Sequence, residues 1–124
     1  MLKTVNIELI LYTASEDNFC ILSSNQDSLI LPKIEIDKID SLKLMDRKKE
    51  FFIEKLFCEY VSIDYKWANL KLLDCDIQSD GENIYTHIFY GCFIPKYNIT
   101  SNGFWIVSND LLKTSEIIKK ALLL

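Results

Sequence analysis

The chain has 124 residues, 49% of them apolar and 26% charged, with a formal net charge of −4 at pH 7. Those figures describe one domain, residues 1–124, large enough to bury a core without disulfide or metal staples. They exclude a membrane span, because no apolar run nears the roughly eighteen residues required, and they oppose nucleic-acid binding, which rests on phosphate neutralisation.

The chain opens with an apolar alternation, Val5, Ile7, Leu9 and Leu11 with Ile10 and Tyr12 between, which predicts a strand buried largely on both faces. No small-residue cleavage site follows it, so it does not resemble a signal peptide. Ser15 to Asn18 is a polar turn, and Phe19 to Ser23 returns as the second strand of a hairpin. Leu29 to Leu31 is a short apolar segment stopped by Pro32, which lacks a ladder donor. Lys33 to Ile39 alternates charge with isoleucine and runs extended into a long helix, Asp40 to Val61. Asp40 or Ser41 caps its start, since either side chain accepts from the first free N–H groups. Leu42, Met45, Lys49, Phe52, Leu56 and Tyr60 recur at three- and four-residue steps, an apolar stripe broken only by Lys49. The other side carries Asp46, Glu50, Glu54, Lys55 and Glu59.

After the helix, Leu70 to Gln78 reads as a strand, and Ser79 to Asn83 as a hairpin loop in which Asp-Gly supplies the positive φ such turns need. Ile84 to Ile94 is the longest strand. Tyr85, His87, Phe89, Gly91 and Phe93 take one face, and Ile88, Tyr90 and Cys92 the other. Pro95 ends it. Gly103 to Val107 is a short strand, and Ser115 caps a closing helix to Leu124. Such an order buries its apolar surfaces as an α/β fold, a mixed sheet with helices packed on its faces.

Cys20, Cys58, Cys75 and Cys92 contain no C-x-x-C pair, and one histidine is present, so a structural zinc site lacks its usual ligand spacing. Each cysteine falls in an apolar stretch, where a reduced thiol behaves as a small hydrophobe. That pattern suits a reducing, cytoplasmic compartment. The richness in Ile, Lys, Asn and Asp suggests an AT-rich coding genome, compatible with a virus and its infected host.

In the order of its elements the chain resembles the Nudix superfamily. Leu31-Pro32 stands where that family has L-P-G-G, Asp40-Ser41-Leu42 resembles the E-S-L that opens its helix, and Phe104-Trp105-Ile106-Val107 with Asp110-Leu111-Leu112 resembles its ending. The family's R-E-U-x-E-E-x-G-U motif, U being a bulky apolar residue, falls on Lys49 to Phe57. Glu50 and Glu54 keep the i, i+4 spacing that puts two carboxylates on one helix face. Ile53 replaces the intervening acid and Leu56 the glycine, while Lys33 and Ile34 replace the paired glycines. A second register ending at Ser62 retains only Glu59, with Lys55 and Cys58 at the other acidic positions.

The resemblance implies a Nudix-like fold with a degenerate motif. The function expected from it is a binding or assembly module within a larger complex, with a protein partner or a second copy of the chain. No catalytic residue and no cofactor is assigned. The alternative is a divergent pyrophosphohydrolase acting on a nucleoside diphosphate derivative, in which Glu50 and Glu54 hold magnesium, assisted by Asp46 or Glu59. A second alternative is a sensor that binds a nucleotide without cleaving it. For the acidic stripe the plainer expectation is a solvated helix face. His87 is more simply a satisfied or surface side chain than a general base. Trp67, Tyr85, Phe89, Phe93, Phe104 and Trp105 are more simply core or interface residues than a purine-stacking platform.

Overall fold

The computed structural model describes residues 2–15, 18–36 and 42–107. Its centre is β1 (Leu2–Ser15), whose alternating apolar residues supply both faces of the sheet. Val5, Ile7, Leu9 and Leu11 point to one side and are buried, and Ile10 is fully buried on the other. Along one edge β1 pairs in parallel with β5 (Asn83–Phe93), from Leu2 opposite Asn83 to Tyr12 opposite Phe93. Along its other edge it pairs antiparallel with two short strands in succession. β3 (Lys33–Ile36) lies against Val5 to Glu8, and β2 (Asn18–Ser23) against Tyr12 to Ser15. β4 (Lys71–Asp80) and β6 (Phe104–Val107) extend the sheet antiparallel, giving the order β4-β5-β1-β2-β6.

Two parallel strands need a long crossover between them, and here it contains helix α1 (Leu42–Tyr60). Ile53, Leu56 and Phe57 carry the deepest contact, against Val5, Ile7, Leu9 and Leu11 of β1 and Tyr90 and Cys92 of β5. The stripe expected from periodicity is therefore rotated. Leu56 holds its place, Phe52 and Tyr60 are only partly buried, and Ile53 and Phe57 take the centre. Apolar residues at 51, 52, 53, 56 and 57 span so much of the helix circumference that spacing alone does not select a face, and Phe51 is left 62% exposed.

The opposite face of the sheet buries Ile10, Ile21, Leu73 and Phe89, with Leu29 and Leu31 packed on them. Residues 29–32 are irregular rather than a strand. Even so, the Pro32 carbonyl accepts from Leu9 N at 2.9 Å, so pairing with β1 starts on the acceptor side of the residue that cannot donate. The loop before it is held by the buried Ser23 hydroxyl, which donates to the Ser28 carbonyl and accepts from the N–H groups of Asn25 and Ile30.

The mixed sheet and its covering helix match the expected α/β fold. Helices on both faces were expected. The described residues contain one α-helix, on one face, and the closing helix assigned to Ser115 to Leu124 lies outside them. No helix among the described residues is long and apolar enough to cross a membrane.

The cysteines divide into two kinds, contrary to a uniformly apolar setting. Cys20 and Cys92 are buried, whereas Cys58 and Cys75 are exposed, and all four are free thiols. Burial pushes the Cys92 thiol up to about 12. Under native conditions a disulfide-exchange reagent should therefore label Cys58 and Cys75 and spare Cys20 and Cys92 until urea is added. Cysteine-by-cysteine mass spectrometry checks this.

Gly91 sits where β5 crosses between β1 and β4. A β-carbon there would lie 2.7 Å from the Ile10 carbonyl oxygen and 2.6 Å from Leu73 Cδ1. The leucine can turn away but the strand backbone cannot. Gly91→Ala should cost about 1–3 kcal/mol by overpacking, measured as a lower urea midpoint with an unchanged slope.

Candidate functional site

The site expected from the sequence lies on the sheet-facing shoulder of α1, where residues 49, 50 and 53 approach β4, β5 and the segment that follows the helix. That segment is fixed by its backbone. Ser62 N donates to the Asn98 carbonyl, Thr100 N to the Tyr60 carbonyl, and Val61 pairs with Ile99 as an isolated bridge. The side chains of Thr100 and Asn102 both donate to the Glu59 carbonyl, at 2.6 and 2.9 Å, closing the C-terminal end of α1. A 3-10 turn, Tyr65–Trp67, comes next, and the Asp64 carboxylate accepts from Lys66 N at its start. This turn brings the Tyr65 ring edge-on to Phe57, with centroids 5.5 Å apart.

The outcome is a hydrogen bond across fifteen residues of chain. Tyr65 Oη donates to Glu50 Oε1 at 2.8 Å. The Tyr65 phenol is pushed well above its usual range, first by burial, then by the Glu50 hydrogen bond and charge, and further by the Glu54 carboxylate. Both glutamates thus act on the same tyrosine, and the i, i+4 spacing does place them on a common face.

Beside Glu50 is a cavity of about 400 Å³ lined by Lys49, Glu50, Ile53, Tyr65, Leu70, Leu72 and Tyr90. The Lys49 ammonium lies over the Tyr90 ring, 5.2 Å from its centroid. The Tyr90 hydroxyl is buried and has no hydrogen-bond partner among the described residues. Ile53, where the first register of the sequence resemblance expects an acid, is only 3% exposed and forms an apolar wall. Glu54 is exposed, outside the cavity, and it also raises the Cys58 thiol after the larger effect of burial.

Magnesium prefers several converging oxygen ligands in near-octahedral geometry. Among the described residues no group of three or more His, Cys, Asp or Glu side chains converges so as to hold a metal. Glu50 already spends one oxygen on Tyr65, and the donor set among the described residues does not fit that ion. Asp46, the expected assistant, lies among side chains outside the described ones. Glu59 stands at the far end of α1, where its carbonyl accepts from Thr100 and Asn102.

The other candidates fall elsewhere. His87 is on the face of β5 away from α1, with Nδ1 4.0 Å from Glu8 Oε2 and its ring stacked near Phe89. Phe89 is core, Trp105 donates to the Lys96 carbonyl, and Trp67 is 76% exposed under the Lys66 ammonium. Spacing did not reveal Tyr65, Leu70, Leu72 or Tyr90 as site residues. The one signal was Lys49, a charge set within an apolar stripe.

No protein-family model and no curated protein matches the sequence. Solved structures do match in fold. Over 96% of this chain and 86% of the other, it is similar to the NUDIX domain of Shewanella oneidensis NrtR complexed with ADP ribose (TM-score 0.61, 16% identity). It spans 61% of the length of a second Shewanella NrtR chain at TM-score 0.63 and 16% identity. It is also similar to the C-terminal domain of mouse MUTYH complexed with human PCNA (TM-score 0.56, 10% identity, 97% and 85% covered). The chain has a Nudix-like fold, and at these identities the likeness reaches no further than fold.

The Tyr65–Glu50 contact is directly testable. Glu50→Gln should bring Tyr65 ionisation part of the way back toward the ordinary phenol value of 10.0. The share due to burial should remain, as read from NMR titration of the Tyr65 ring. The sign for stability follows. Above pH 10 the unfolded chain loses this proton while the folded chain keeps it, so the contribution is complete below pH 10 and is lost as pH rises.

Proposed function

We infer that this Nudix-like domain is a catalytically degenerate binding module rather than a pyrophosphohydrolase. One observation carries that reading. On the helix face where a metal would be held, Ile53 is a buried wall and Glu50 is engaged by the Tyr65 hydroxyl. Water activation by a hard cation would need a denser set of oxygens than Glu50 and Glu54 provide.

A protein partner is the occupant favoured by the outer strand. On the α1 side of β4, Leu72, Cys75 and Ile77 stand opposite Tyr90, Ile88 and Thr86 of β5. Leu72 is 58% and Ile77 68% exposed. An apolar row on a sheet edge suits an interface, and the bulge between Leu72 and Asp74 restrains indiscriminate strand pairing. The MUTYH domain bound to PCNA and the NrtR domain bound to ADP ribose support the use of this fold for binding either a protein or a nucleotide derivative. A reducing compartment remains the expected setting for the four free thiols.

Calorimetry with magnesium, together with an assay on nucleoside diphosphate derivatives, tests the reading. The expected result is no saturable heat at millimolar magnesium and no turnover. Saturable binding that disappears in the Glu50→Gln, Glu54→Gln double variant would contradict it and restore the hydrolase.

A further inference from the structure

The cavity beside α1 contains opposite charges that do not neutralise each other. Lys49 and Glu50 both line it, yet no ion pair joins them within 4.0 Å, and Lys49 has no carboxylate partner among the described residues. Glu50 accepts from Tyr65 through Oε1 only. Tyr90, 8% exposed, presents its ring beneath the Lys49 ammonium, 5.2 Å from the centroid. The volume, about 400 Å³, far exceeds the roughly 30 Å³ share of one water and falls within the usual range for small-molecule sites. Ile53, Leu70 and Leu72 supply apolar wall.

We propose that this cavity binds, without any metal, a small zwitterion with an apolar body, of which a bulky apolar α-amino acid is the simplest form. The ligand's carboxylate is received by the Lys49 ammonium, which lies over the Tyr90 ring. Its ammonium donates to Glu50, whose carboxylate Tyr65 helps to position, and its side chain lies against Leu70, Leu72 and Ile53. A simple anion suits the site less well because Glu50 repels it, and a simple cation because Lys49 does. Charge-assisted hydrogen bonds at both ends select against ligands that lack either one.

The proposal rests on the metal-free, non-catalytic reading of the same helix face, and one titration separates the two. L-phenylalanine is added to the full chain in EDTA and followed by amide chemical shifts. Phenethylamine and hydrocinnamate serve as analogues carrying one charge each. The expected result is saturable shifts around residues 49–53, 65 and 90 for L-phenylalanine, with either analogue about tenfold weaker or worse. Lys49→Met and Glu50→Gln should each weaken binding by about tenfold while keeping the wild-type spectrum elsewhere, which shows that they fold. Absence of saturable shifts, or binding indifferent to both substitutions, overturns the pocket and leaves the non-catalytic reading standing. Binding that appears only when magnesium replaces EDTA overturns both.

Discussion

The parallel pairing of β1 with β5 is the constraint on which the remaining structure depends. Eleven residue pairs, from Leu2–Asn83 to Tyr12–Phe93, align two strands of matching alternation. Because side chains alternate with period two, that register sets the whole of Ile7, Leu9, Leu11, Ile88, Tyr90 and Cys92 on one face. A slip of one residue would turn that set outward. The parallel sense also forces a crossover, and the helix within it settles on the face so created.

From that platform the site follows by short steps. Ile53, Leu56 and Phe57 fix the rotation of α1 about its own axis. Once fixed, the helix carries Lys49 and Glu50 to the rim of the sheet beside β4 and β5. Phe57 then supports the Tyr65 ring, and Tyr65 restrains Glu50. Ile53, the apolar wall beside Glu50, is also one of the residues that seat the helix on the core. A carboxylate at residue 53 would bury a charge without a partner, at a cost of several kcal/mol.

Much of the fold was legible in the sequence because it rests on local signals. The alternation in β1 and β5, the Asp80-Gly81 turn with φ of +60° at Gly81, and the length of α1 are each encoded within a few neighbouring residues. The rotation of α1 was not legible, since its aromatic and aliphatic residues offer two competing faces and only contact with β1 decides between them. The i, i+4 glutamates were found by spacing, but their neighbours were not. Tyr65 reaches Glu50 through a turn anchored by residues 98–102, and Tyr90 reaches the cavity from a strand whose pattern only marks it as inward-facing. Tertiary proximity of that kind leaves no periodic trace.

The central claim is that the Glu50–Glu54 face of α1 is not a divalent-metal site. Paramagnetic broadening by manganese, followed residue by residue in an NMR titration, tests it most directly, because a bound ion erases the signals around its ligands. A face lacking a converging oxygen set predicts only weak, scattered broadening over the exposed acids of the surface. Selective loss of the signals of Glu50, Glu54 and Tyr65 at low manganese would contradict it.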